Sequence, residues 1–275
     1  MRDPAPPPRV QHTNRVATLF ATVSLAGCSL SLELATEILE GKRELALAHD
    51  VLQLDNASVA YERLASWDPL QEKHLLEAHR VLMHVLSPDA GKYRSKRVKE
   101  EVQSRLQFLR EERELPPIVA ALMFHYQLAM LRPFADGNGR IGRLWLRALL
   151  RRAANVFEHA PVEQVLLAHR STYDAALAAA AQRATFDAFL EPMLDLLMLA
   201  LRQLEPQLRG RSETPEDRRI LAKAQLAKRW FSRKDYLAFF PKLSTASASR
   251  DLAAAVTSGA ISARGKGRST DYRFR

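Results

Sequence analysis

Arg132-Pro133-Phe134-Ala135-Asp136-Gly137-Asn138-Gly139-Arg140-Ile141-Gly142-Arg143 is the stretch on which the reading of this 275-residue sequence turns. Before it, Val119, Leu122, Met123, Tyr126, Met130 and Leu131 follow helical spacing. After it come Leu144, Trp145, Leu146, Leu149 and Leu150. The pattern predicts a helix ending at Leu131, a loop opened by Pro133, and a second helix starting near Asn138. Gly137-Asn138-Gly139 at a helix start lets successive backbone N–H groups converge on one point. That makes an anion nest, reinforced by the positive end of the helix dipole. Arg140 and Arg143 lie one turn apart, so both guanidinium groups can reach one phosphate chain. Asp136 beside the nest suits Mg²⁺ held mostly by phosphate oxygens. Asp-Gly-Asn-Gly also suits a plain turn and helix cap. The phased arginines favour a loop that binds a diphosphate or triphosphate.

Outward from this loop the text stays helical, from Ser31 to about Leu208. Leu32, Leu34, Ile38 and Leu39 mark one apolar face, and Leu75, Leu76, Val81, Leu82, Val85 and Leu86 another. Breaks are expected at Gly41, Pro69, Ser87-Pro88-Asp89, Pro116-Pro117, Pro133, Pro161 and Pro192. Roughly eight helices are expected to pack as one all-α domain. Residues 1–12 hold four prolines and read as a disordered lead. Val16 to Gly27 reads as an amphipathic helix that breaks at Gly27 and restarts after the cap-like Ser31. Leu25-Ala26-Gly27-Cys28 also looks like a lipoprotein cleavage box, an export signal that the basic C-terminus disfavours. No other segment is long and apolar enough to span a membrane, and a cytoplasmic location is expected. One cysteine excludes a disulfide framework and a thiolate zinc cage within the chain.

The motif resembles that of the Fic family, whose members carry His-Pro-Phe-x-Asp/Glu-Gly-Asn-Gly-Arg-x-x-Arg between two helices of an all-α domain. Ala90-Gly91-Lys92-Tyr93-Arg94 is similar to the family segment leading into the flap that docks target side chains. His125-Tyr126-Gln127 sits where members often have the same residues. The resemblance covers roughly residues 16–208, and the Fic-like domain is expected over residues 13–208. It implies transfer of AMP from ATP to a hydroxyl of a target protein, with ATP and Mg²⁺ as cofactors. Asp136 would hold the metal; Gly137, Asn138 and Gly139 would take the phosphates; Arg140 and Arg143 would take the outer phosphates. Phe134 would anchor the loop.

Two positions depart from that pattern. The family's histidine takes the proton of the attacking hydroxyl, and Arg132 stands in its place. Arginine stays protonated at any ordinary pH and cannot be that base. His125 lies seven positions earlier, about 10 Å along a helix, too far to step in. Arg132 would add charge beside the phosphates or pair with Asp136. Many members also restrain themselves with an N-terminal helix ending in Ser-x-Ile/Val-Glu-Gly-Asn. Ser24-Leu25-Ala26-Gly27-Cys28 is similar, with Ala26 where the inhibitory glutamate would be. Base and brake are missing together, which favours a degenerate member.

The formal charge of +10 is local. Residues 218–275 hold 14 Lys and Arg against three acids, while the other 217 residues carry 27 against 28. After a linker over 209–217, residues 218–275 predict three helices and a two-stranded ribbon around Arg264-Gly265-Lys266-Gly267-Arg268. That is the plan of a winged helix-turn-helix, similar to the domains behind many Fic domains. Its second helix would read DNA with Ser244, Thr245, Ser247, Ser249 and Arg250. Lys266 and Arg268 on the wing would meet phosphate or the minor groove. A homodimer follows only by analogy with other operator readers. The expected fold is thus an all-α Fic-like domain plus a small C-terminal winged helix. The favoured function is a nucleotide-binding, DNA-binding protein whose adenylyl transfer is lost or impaired. The alternatives are an active adenylyltransferase, or other phosphate-transfer enzyme, with a different base acting on a Ser, Thr or Tyr of a protein, and a DNA-binding adaptor with an empty Fic site.

Overall fold

A computed structural model describes residues 6–42, 47–183, 185–208, 214–226, 229–240, 243–265 and 270–274. The chain divides into two compact units. One holds residues 14–206; the other holds residues 207–275 together with 5–13.

The first unit is helical. It holds all or most of α1 (Pro8–Ser24), α2 (Leu32–Leu39), α3 (Ala48–Arg63), α4 (Glu72–Leu82), α5 (Lys96–Glu111), α6 (Pro117–Leu131), α7 (Asn138–Ala153), α8 (Val162–Ala168), α9 (Arg170–Arg183) and α10 (Asp187–Leu208). α1 starts at Pro8, inside the span read as a lead. Ser31 caps α2, its hydroxyl accepting the Leu34 N–H at 3.2 Å. Pro117 opens α6 at a position where its missing N–H costs nothing.

α7 is the axis of the unit. Every residue from Arg140 to Leu150 is buried, the signature of a helix enclosed on all sides. It packs against α6 and α4. Its buried cations need partners, and Arg147 finds one in Glu163 of α8. The helix break expected at Pro192 does not occur, because α10 runs through it. Pro192 forfeits one backbone hydrogen bond near the start of a long helix. Burial of Phe189, Met193, Leu196 and Ala200 along the same helix outweighs that loss. Val85, read from spacing as part of an apolar face, is exposed beyond the end of α4 with φ of 62°.

The second unit contains α11 (Pro215–Leu226), β1 (Phe231–Ser232), α12 (Arg233–Phe239), α13 (Thr245–Thr257), β2 (Ile261–Arg264) and β3 (Asp271–Phe274). Its antiparallel sheet has the order β1-β3-β2. α11 starts within the span expected to be linker, and the two-residue β1 joins the expected ribbon. Ser232 and Asp235 form a capping box that starts α12 directly after β1. Leu226, Phe231, Tyr236, Leu252, Ile261 and Phe274 share one small core. Beside it Asp251 of α13 accepts from Arg218 of α11 at 2.7 Å and from the Tyr236 hydroxyl at 3.4 Å.

Candidate functional site

The loop between α6 and α7 is fixed from three sides. α6 ends with Arg132 in the left-handed region, φ 46° and ψ 65°, its N–H bonded to the Leu128 carbonyl at 2.9 Å. A side chain in that region costs about 1–2 kcal/mol, so the surroundings must hold it. Arg94 does so. Its Nε donates to the Arg132 carbonyl at 2.9 Å, its Nη2 to the Leu131 carbonyl at 3.2 Å, and its backbone N–H to the Pro133 carbonyl at 3.0 Å. Asn138 closes the turn: its Oδ1 accepts the Phe134 N–H at 2.9 Å and its Nδ2 donates back to the Phe134 carbonyl at 2.8 Å.

The third side is His79, which the sequence did not single out. Its Nδ1 accepts the Gly91 N–H at 2.8 Å, so the proton sits on Nε2 and is donated to the Asp136 carbonyl at 3.0 Å. The ring stacks on Phe134 at 3.7 Å, and Tyr93 lies 5.3 Å from the same phenyl ring. Gly137 sits at φ 75°, and a Cβ there would come within 2.5 Å of Met83 Sδ. The position therefore requires glycine both for its backbone and for its space.

Arg132, Asp136, Gly137, Asn138, Gly139, Arg140 and Arg143 all line one cavity of about 290 Å³. Its walls also include Leu25 and Ala26 after α1, His125 and Ala129 on α6, and Tyr173, Asp174 and Leu177 on α9. Ala26 thus reaches the same space as Arg143. The two motif arginines already have partners. Arg140 donates to Gln53 Oε1 at 3.2 Å and pairs with Asp136 Oδ2 at 3.3 Å. Arg143 donates to the Thr22 hydroxyl at 3.2 Å and the Thr22 carbonyl at 2.8 Å. Both acceptors are neutral, and among the described residues no carboxylate pairs with Arg143. Gly139 leaves room for this guanidinium, since a Cβ there would lie 3.1 Å from Arg143 Nη1. Asp136 pairs with Arg140 rather than with Arg132, which is exposed.

His125 is not a spare base. It is buried; its Nδ1 donates to the Gly142 carbonyl at 2.9 Å and its Nε2 accepts from the Tyr173 hydroxyl at 2.9 Å. Burial pushes both His79 and His125 down to about 4, against an ordinary value near 6.5. Between those values the unfolded chain binds protons that the folded rings refuse. Stability from these rings is complete above about pH 6.5 and falls with pH, by up to about 1.4 kcal/mol per unit for each ring. The urea midpoint of the helical unit should therefore drop between pH 7 and 5. A midpoint unchanged over that range would mean that the rings take up protons without cost.

Among the described residues, no cluster of three or more His, Cys, Asp or Glu side chains converges as a metal cage. Asp136 supplies one carboxylate whose side chain is 67% exposed and whose Oδ1 accepts the Gly137 N–H at 2.6 Å. Such a donor fits a divalent cation that takes its other ligands from phosphate and water.

In the second unit, Ser244 caps α13, Ser247 accepts from Arg250 at 3.2 Å, and Ser249 accepts from Arg233 at 2.9 Å. Thr245 and Arg250 are exposed in the first two turns of that helix. Lys266 and Arg268 lie outside the described residues. The Arg264 guanidinium stacks 4.2 Å from the Trp230 ring.

The sequence model of the Fic/DOC family matches residues 69–150. Curated relatives include "Protein adenylyltransferase Fic" of Nematostella vectensis, 28% identical over 162 residues that cover 52% of this chain and 37% of that protein. The protein of the same name from Culex quinquefasciatus is 30% identical over 172 residues, covering 53% and 34%. The chain spans about a third of the length of these relatives. Among solved structures, a Fic family protein from Desulfovibrio desulfuricans G20 is 28% identical with a TM-score of 0.70, covering 98% of this chain and 88% of that one. Fic-1 from C. elegans, 23% identical with a TM-score of 0.63 over 72% of this chain and 64% of its own, shares the fold.

Proposed function

Residues 69–150 are a Fic/DOC family domain, and on that footing we propose that this chain binds ATP or a related nucleotide through its phosphates while adenylyl transfer is lost or impaired. One observation carries the proposal. The cavity lined by Arg132, Asp136, Gly137, Asn138, Gly139, Arg140 and Arg143 carries an arginine at the position that the family resemblance gives to the base. A permanently charged guanidinium cannot accept that proton, but it adds a cation next to the phosphates. His125 does not replace the base, because both its ring nitrogens are engaged and burial keeps the ring neutral.

The binding half of the proposal rests on residues that remain suited to phosphate. Gly137, Asn138 and Gly139 open α7, whose N-terminal N–H groups and dipole favour an anion. Arg143 donates to the neutral hydroxyl and carbonyl of Thr22 and pairs with no carboxylate among the described residues, so a phosphate oxygen can take over these contacts. Asp136 is the residue that would hold Mg²⁺, which when bound would neutralise phosphate charge. The relatives named as protein adenylyltransferases support ATP as the nucleotide and a protein as the target class. The test is incubation with labelled ATP beside Arg132→His, whose expected result opens the Discussion.

The C-terminal unit completes the proposal as a winged helix that binds DNA in the cytoplasm. No helix among the described residues is long and apolar enough to cross a membrane. Support comes from the net charge of residues 218–275, the order α11-β1-α12-α13-β2-β3, and the exposure of Thr245 and Arg250 on α13. Duplex affinity should fall steeply with salt, and Lys266→Ala or Arg268→Ala should each flatten the slope of log K against log salt by about one. Affinity indifferent to salt would remove DNA as the partner.

A further inference from the structure

α10 carries more apolar surface than one packing face uses. At 100° per residue, Phe189, Met193, Leu196, Leu197, Ala200 and Leu204 fall together, and all are buried. Next to them around the helix come Leu190, Leu201, Leu194 and Met198. Leu194 is 39% exposed and Met198 50%. The apolar arc is about 200° wide, where about 100° suffices for a surface helix. Its outer edge is then lined by Glu191, Arg202 and Asp195. Neither Glu191 nor Arg202 has a side-chain partner among the described residues.

We propose that this stripe is the contact face of a homodimer, in which α10 packs antiparallel against α10 of a second copy. The sequence of the helix is self-complementary for that arrangement. A twofold axis near residue 196, perpendicular to the helix, sets Leu194 opposite the partner's Met198 and Leu190 within one residue of the partner's Leu201, with Asp195 near its own symmetry mate. Such an axis keeps the same flank of both helices on the same side. The charged edge of one copy therefore runs beside the charged edge of the other in reverse order. Within one residue of the apolar register, Glu191 meets the partner's Arg202, and by symmetry the pair forms twice. An isologous contact requires that residue i meet j and j meet i, and this register does so for the apolar and the charged pairs together. A partner of unrelated sequence would have no reason to match both.

The test is sedimentation velocity of the full chain without DNA, over roughly 1–100 µM. A concentration-dependent dimer is expected. Leu194→Arg, an exposed position, should raise its dissociation constant at least about tenfold by placing a charge against the partner's apolar stripe. Glu191→Arg alone and Arg202→Glu alone should each weaken the dimer, and the two reversals combined should restore it. A monomer throughout that range, or a dimer that ignores both Leu194→Arg and the charge reversals, overturns the proposal.

Discussion

Arg132→His is expected to raise labelling of the protein or its target by ATP at least about a hundredfold over the unmodified chain. A positioned general base is worth roughly 10²–10⁴-fold, and on the proposed function Arg132 withholds that contribution. The substitution should leave the loop in place. What holds residue 132 is the bonding of its backbone carbonyl and its neighbours' carbonyls to Arg94, together with its own N–H to Leu128. None of these contacts uses its side chain. The left-handed conformation at 132 is also one that histidine enters more readily than most residues. Phosphor imaging of reactions with α-labelled ATP and Mg²⁺ reads the result. Strong labelling by the unmodified chain, unchanged in Arg132→His, would show an active transferase with another base. Calorimetry with ATP settles whether the site holds nucleotide at all. Saturable heat that Arg143→Ala weakens supports the proposal, and no heat in either protein would mean an empty site.

Arg147→Ala should cost the helical unit about 3–5 kcal/mol, the range found when one member of a buried ion pair is removed. Arg147 is enclosed within α7. Its Nε donates to Glu163 Oε1 at 2.7 Å, its Nη2 reaches Glu163 Oε2, and it also donates to the carbonyls of Phe157, Glu158 and Ala160. Burial opposes the charge, yet Glu163 beside it holds the guanidinium above its ordinary value. Tyr61 adds a hydroxyl to Glu163 Oε1 at 3.0 Å, which ties α3 to the pair. Without Arg147 the carboxylate is left buried beside three carbonyls that have lost a donor. Urea unfolding followed by far-ultraviolet circular dichroism measures the loss. Arg147→Met with Glu163→Leu should recover much of it, because no lone charge remains. A cost below about 1 kcal/mol for Arg147→Ala would mean that water or another cation replaces the guanidinium.

The motif was legible because its punctuation is local. Pro133 stops one helix, Gly137 permits a left-handed turn, and Asn138 starts the next, so Leu131 and Asn138 mark the boundaries in sequence and structure alike. The side chains that brace the motif were not legible. His79 stands 57 residues from Asp136 and Thr22 stands 121 residues from Arg143. Neither has a spacing that announces it. Pro192 misled because a proline's local cost is visible in sequence, while the burial that outweighs it along α10 is not. β1 has two residues, too few to show alternation. Ser247 and Ser249, read from sequence as DNA-contacting residues, lie in the first turns of α13, where Arg250 and Arg233 already donate to their hydroxyls. A sequence shows which groups can donate or accept, and only the fold shows which are already spoken for.

The imidazole of His79 has a consequence for how the site responds to a ligand. One neutral ring receives a proton contact from Gly91 and passes one to Asp136. The strand of chain at 90–94 and the phosphate loop are therefore joined in series through a single rigid plate, clamped flat against Phe134. Pulling on the Asp136 backbone would load Gly91, which is packed so closely that a methyl group there would press to 2.9 Å from the Leu76 carbonyl. The two segments behave as one mechanical part. On the proposed function, Arg132 alters the chemistry at the edge of that part and leaves it intact, so phosphate bound at the loop would act on residues 90–94 through a stiff lever whether or not AMP is transferred.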